Sequence, residues 1–285
     1  MKPLSCLALA FALVAPAVAA ENTPDTLGRI KSSKAITVAY AGDSLPFSFT
    51  ETNGEPMGYS IDLCKRVIAQ IGRAVGVPDL KVSWVAASTP DRLAMIESGK
   101  ASLECGNTTQ TLARSAKVDF SALIFLETGG FLARASETPP RLTDMNGKKI
   151  AVLKGTTTEM RLRDALKKRL VNAEVVPLAK AEDGVTKLEA GEVDLYAGDK
   201  IKLIGLATLA PDPKKFALLT EDLSYEPYAL AMPRNDSAFR LEVNRALTQV
   251  YMGGEIENIY MQWLGRLGRP TQLLGAMFLL NAIPD

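Results

Sequence analysis

Apolar and polar positions alternate along the chain in a recurring order of strand, polar loop and helix. "AITVAY" (Ala35 to Tyr40) is a short β-branched run, and Gly42 and Pro46 in "AGDSLPFSF" end it, which predicts a buried strand and then a loop. "GYSIDLCKRVIAQIGRAV" next sets Ile61, Cys64, Val67, Ile68 and Ile71 at helical spacing. The three pieces form one α/β unit.

The pattern repeats. "IESGKASLECG" at 96–106 aligns without gaps to "LEAGEVDLYAG" at 188–198, with four identities and three conservative pairs in eleven positions. Both read as a helix end, a glycine cap, and a buried strand running into a loop. "KAITVAYAG" at 34–42 and "KKIAVLKG" at 148–155 form a second, weaker pair. The chain is therefore expected to be α/β with two similar lobes. The break between them is expected near "FLETGGFLARASETPPRL", where two glycines and two prolines interrupt the pattern, and the return near "EDLSYEPYALAMP". Two crossings between two lobes make a hinge. The resulting division is a leader over 1–20, lobe 1 over 21–126 and 228–285, and lobe 2 over 127–227.

Composition narrows the function. Lys2, an apolar run from Leu7 to Val14 and then "APAVAA" have the order of a cleaved secretory signal peptide, with cleavage after Ala19 or Ala20. The run is too short to span a membrane. Without Lys2 the mature chain carries equal numbers of basic and acidic residues, so no net field steers it to nucleic acid or an anionic surface. The chain has no histidine, which excludes Ser-His-Asp and Cys-His nucleophile systems and His-ligated zinc. No cofactor is called for. Cys64 and Cys105 remain after processing, and an even count in an exported chain favours one disulfide over two buried thiols.

In open α/β sheets, ligands sit beyond the carboxyl ends of the strands. The loops there are "AGDSLPF", with Ser44, then "GNTTQT", "KGTTTE" and "GDKIKL", all small and polar. Arg114 lies seven residues after Asn107, on a helix expected to begin between Thr109 and Thr111. A guanidinium fork matches a carboxylate, and N–H groups at the helix start would support the same anion. "KGTTTEM" suggests the same from the other lobe: Gly155 allows close approach, Thr156 to Thr158 open a helix, Glu159 is a capping partner, and Thr157 offers an N–H and a hydroxyl. Asp199 ends the strand "VDLYAG" where Asn107 follows "ASLECG". A carboxylate opposite a carboxylate-binding arginine suits an ammonium group.

These residues carry a resemblance. "PFSF", "GYSIDLCKRV", "DRLAMIESGK", "ECGNTTQTLARS", "VDFS", "KGTTTEM", "LEAGEVDLYAGD" and "GGEIENIYMQWL", in that order over nearly the whole mature chain, resemble the polar amino-acid-binding proteins of bacterial ABC importers, most closely the glutamate/aspartate-binding branch. The resemblance implies a type II periplasmic-binding-protein fold whose two lobes close over one amino acid. It also implies a periplasmic, monomeric protein with an ABC permease and ATPase as partners. By position, Arg114 would grip the α-carboxylate with Asn107, Thr109 and Thr157, Asp199 would take the α-ammonium, and Thr89 and Arg92 would face the ligand's side chain. The branch has an arginine after its first strand and a histidine in the second lobe, where this chain has Ala41 and Asp183. That leaves Arg92 and Asp183 at the side-chain end, to receive either an acidic or an amide side chain. Two other functions occur on such a fold. One is a cyclic-acid dehydratase, for which Glu104 is the nominated proton donor, and the other is a ligand-sensing receptor module.

Overall fold

The computed structural model describes residues 25–136 and 139–284, and the expected leader lies outside them. From the start, α1 (Thr26–Ser33) leads into β1 (Ala35–Tyr40), and β2 (Asp43–Ser44), β3 (Ser48–Thr50) and β4 (Pro56–Met57) form a small antiparallel sheet. Then come α2 (Tyr59–Val75), β5 (Lys81–Ala86), α3 (Thr89–Glu97), β6 (Leu103–Glu104) and the single turn α4 (Leu112–Ser115). The long β7 (Asp119–Arg134) precedes β8 (Lys149–Leu153), α5 (Thr157–Arg169), β9 (Glu174–Leu178), α6 (Glu182–Glu189), β10 (Leu195–Asp199) and α7 (Lys200–Thr208). β11 (Phe216–Leu218) and β12 (Ser224–Met232) follow, and α8 (Ser237–Met252), α9 (Glu255–Leu264) and α10 (Gln272–Asn281) complete the described chain.

The main sheet runs β5-β1-β6-β12-β7-β10-β8-β9. Its two ends mirror each other. β1 lies between β5 and β6, all parallel, and β8 lies in the same way between β9 and β10. β12 then pairs antiparallel with β6, and β7 antiparallel with β10. The sequence repeat is thus a repeat of topology. Its glycines mark it: Gly99 and Gly191 follow α3 and α6 with φ of +72° and +74°, left-handed values that end a helix at little steric cost to glycine.

Strand periodicity sorts the second lobe into two cores. Phe131, Ile150, Val152, Leu195 and Ala197 pack against α5, while Leu132, Ala151 and Tyr196 face α6 and α7. In the first lobe the apolar face of α2, including all five residues predicted from spacing, is buried with α8 and α9. Cys64 on α2 and Cys105 after β6 are disulfide-bonded, with Cα atoms 6.1 Å apart.

At the expected break the two glycines of "FLETGGFLAR" do not interrupt the strand. β7 runs unbroken through Gly129 and Gly130 and pairs with β12 from Asp119 to Gly129. Glycine keeps this strand narrow where neighbours press on it: a Cβ at Gly129 would stand 2.4 Å from Ser224 Oγ. The lobes are therefore joined by two strands paired to each other, with Leu126 opposite Pro227 and Glu127 opposite Glu226 at the level where the crossings were placed.

Candidate functional site

The carboxyl ends of β1, β6, β8 and β10 converge on a cavity of about 90 Å³ between the lobes. It has room for several water-sized groups, the scale of one small polar molecule. Ser44, Thr89, Arg92, Asn107, Thr109, Arg114, Thr157 and Asp199 all line it, joined by Asp43, Tyr196 and Lys202.

Each wall has a local cause. Residues 108–110 dock on β12, where Gln110 N–H donates to the Pro227 carbonyl at 2.8 Å and Ala229 N–H to the Thr108 carbonyl at 3.1 Å. Thr111 caps α4 by accepting from Arg114 N–H, so the helix carrying Arg114 is one turn and that N–H is already engaged. The anion support expected from this helix start therefore falls to the side chain. Arg114 Nη1 donates to the Thr109 carbonyl at 2.7 Å, and its guanidinium makes no other hydrogen bond or ion pair among the described residues. Burial lowers its pKa from the usual arginine range, against the opposing pull of Glu104 and Glu226, and the group stays charged. Across the cavity Thr156 caps α5 by accepting from Glu159 N–H, while Glu159 reaches back to Gly155 N–H at 2.9 Å. This is close to the expected capping pair.

Asp199 is held by Tyr228, whose hydroxyl donates to Oδ2, by Asn107 Nδ2 at 3.3 Å and by the Thr158 hydroxyl at 3.4 Å. Burial raises its pKa above the ordinary aspartate range, and the Tyr228 hydrogen bond opposes the rise. Arg114 and Asp199 thus place opposite charges on one cavity, each from a different lobe.

The cleft is closed. Glu226 Oε2 accepts from Thr109 and from Thr157, both at 2.7 Å, joining the two lobes through one carboxylate. Lys202 Nζ on α7 donates to Ser44 Oγ at 3.0 Å. A Cβ at Gly155 would stand 2.8 Å from Pro90 Cγ of the opposite lobe.

Two expectations about the side-chain end change. Arg92 lines the cavity but is not a free cation: it is 2% exposed, its Nε lies 2.6 Å from Glu104 Oε1, and its Nη groups donate to the Ala87 carbonyl, Thr89 and Thr108. One Nη1 proton is left over. Asp183 does not line the cavity. It lies half-exposed in the first turn of α6, and its neighbour Gly184 is the residue that packs on Tyr196. Sequence reasoning missed Lys202 and Glu226. Lys202 stands three residues after Asp199, one helical turn on, in a loop already singled out, while Glu226 was visible as an acid inside an apolar strand.

The profile of the bacterial extracellular solute-binding proteins, family 3, matches residues 36–266. An L-glutamate/L-aspartate-binding protein of Pseudomonas aeruginosa is 30% identical over 261 residues, 91% of this chain and 86% of the relative. A glutamate/aspartate import solute-binding protein of Escherichia coli K12 is 25% identical over 257 residues, 90% of this chain and 85% of the relative. Among crystal structures, an ancestral amino-acid-binding protein, a precursor of cyclohexadienyl dehydratase, is similar with a TM-score of 0.70 and 25% identity, over 84% of this chain and 98% of that one.

Proposed function

The chain belongs to the bacterial extracellular solute-binding proteins of family 3, and from that premise we propose that it is a periplasmic, monomeric, non-catalytic receptor for one polar, non-cationic L-amino acid. It captures the ligand between lobe 1 (21–126 and 228–285) and lobe 2 (127–227) and delivers it to an ABC permease and ATPase complex at the inner membrane. One observation carries this reading: Arg114 and Asp199 meet across a single closed cavity. Arg114 takes the α-carboxylate as a fork, helped by Asn107 and by the backbone N–H groups of Thr109 and Thr157, whose hydroxyl protons go to Glu226, and Asp199 takes the α-ammonium. Both contacts exist together only when the lobes meet, so the ligand selects the closed state by its differential affinity, with β7 and β12 as the hinge.

Glu104 supports a binding role over a dehydratase role. It is fully buried, is held by Arg92 and Thr108, and is not on the cavity wall, where a proton donor would have to be. Titration calorimetry with the twenty L-amino acids tests the proposal. Binding of a polar, non-cationic amino acid without product formation is expected, and binding of none, or turnover of a cyclic acid, would overturn it.

A further inference from the structure

Lys202 is an unusual charge for its surroundings. It sits on the first turn of α7, 7% exposed, and lines the same cavity as Arg114 and Asp199. A buried ammonium needs an anion and filled hydrogen bonds, because leaving water costs more than a partial partner returns. Lys202 has only partial partners. Its Nζ donates to Ser44 Oγ at 3.0 Å, its charge acts on Asp199 without a hydrogen bond, and its one carboxylate neighbour by contact among the described residues, Asp43 Oδ1, lies at 3.9 Å, beyond hydrogen-bond distance and half exposed to solvent. The ammonium has three N–H groups, so at least one remains to be used.

The other charges of the cavity are already committed. Arg92 is neutralised by Glu104 at 2.6 Å. On the reading given above, Arg114 and Asp199 are matched by the α-carboxylate and α-ammonium of the ligand, which cancel each other. Lys154, on the same wall, is exposed and therefore screened by water. Lys202 is what remains: a buried cation without a full partner.

We propose that Lys202, steered by Ser44, is the specificity residue of this cleft, and that it selects an amino acid with an anionic side chain over its amide. An acidic side chain supplies the missing acceptor and charge in one group, in a site removed from water. An amide carbonyl supplies the acceptor alone. The inference rests on the amino-acid reading of the cleft.

Titration calorimetry of the mature wild-type chain and Lys202→Gln with L-glutamate, L-aspartate, L-glutamine and L-asparagine tests it. The wild type is expected to bind its better acid about tenfold or more tightly than its better amide, the factor of one charge-assisted hydrogen bond. In Lys202→Gln that ratio is expected to fall by about tenfold or more through loss of acid affinity alone. A smaller wild-type ratio or a smaller fall overturns the role of Lys202 and leaves the amino-acid reading standing. A wild type that binds none of the four overturns this inference, while the amino-acid reading stands or falls on the titration with all twenty. Lys202→Met, which keeps the buried stem, gives the same reading if Lys202→Gln does not fold.

Discussion

Glu127 and Glu226 stand directly opposite each other on the two strands that join the lobes, 3% and 1% exposed. They are satisfied unequally. Glu226 accepts from Ser224, Thr109 and Thr157, whereas Glu127 accepts from Thr128 N–H on Oε1 and its buried Oε2 makes no hydrogen bond among the described residues. Burial, and after it the charge of Asp199, raises the Glu127 carboxyl well above the ordinary range.

That shift has a sign. Native Glu127 keeps its proton to higher pH than the unfolded chain does, so its contribution to stability is full below the unfolded carboxyl pKa and is lost as pH rises through the native value. Glu127→Gln imitates the protonated form. It is expected to melt above the wild type near about pH 8 and together with it near about pH 4, the ordinary carboxyl range. The Asp199 charge repels the Glu127 carboxylate, so removing that carboxylate relieves the pair and adds to the difference in the same direction. Equal melting temperatures at both pH values would contradict this account.

Glu226 should act as a clasp. Both of its interlobe bonds are to hydroxyls, and they persist only while the lobes are together. A hydrogen bond to a charged group contributes about 1.5–3 kcal/mol, so Glu226→Ala should weaken ligand binding by about tenfold or more. Small-angle scattering should show a more open average shape without ligand. Unchanged affinity and shape would show that the carboxylate does not hold the lobes.

Arg114→Ala and Asp199→Asn should each weaken amino-acid binding by about 2–5 kcal/mol, the cost of leaving one buried charge without its partner, with the fold intact by circular dichroism. Wild-type affinity should also fall as pH drops through the raised Asp199 pKa, since only the carboxylate pairs with an ammonium. Asp199→Asn should lose that pH dependence. Either variant binding within about threefold of wild type would break the charge assignment, since the expected loss is larger.

The Cys64–Cys105 bond ties α2 to the residue just before the loop that carries Asn107 and Thr109. Replacing both cysteines with serine should lower stability by about 2–5 kcal/mol, measured by denaturant unfolding. Affinity should fall with it, because the loop loses its anchor. A variant of wild-type stability would show that the bond is dispensable.

Gly106 leaves no room for a side chain: its Cβ would stand 2.4 Å from Glu104 Oε1 and 2.8 Å from Arg92 Nη2. Gly106→Ala should therefore push the buried ion pair apart, lowering both melting temperature and affinity. Thermal unfolding checks it, and an unshifted melting temperature would mean the pair yields freely.

Much of this protein was legible before folding was considered. A β-branched run ended by Gly42 and Pro46 identified β1, helical spacing identified the buried face of α2, and the match of residues 96–106 to 188–198 revealed two equivalent units, since each obeys local rules that a short segment carries by itself. Arg114 and Asp199 were nominated in the same way, at loops that follow strands, and both line the cavity. What sequence could not decide was which charges would find partners. Arg92 appeared free until folding set Glu104 beside it, Asp183 appeared to face the ligand until α6 turned Gly184 to the core, and Lys202 and Glu226 passed as ordinary residues until the lobes closed on them. Glu226 meets Thr109 and Thr157 across 117 and 69 positions, and Lys202 meets Ser44 across 158. Spacing along a chain reports its neighbours within a turn or a strand. The pairing of a buried charge is set by desolvation and by whatever the fold brings to it, and only the tertiary structure supplies that.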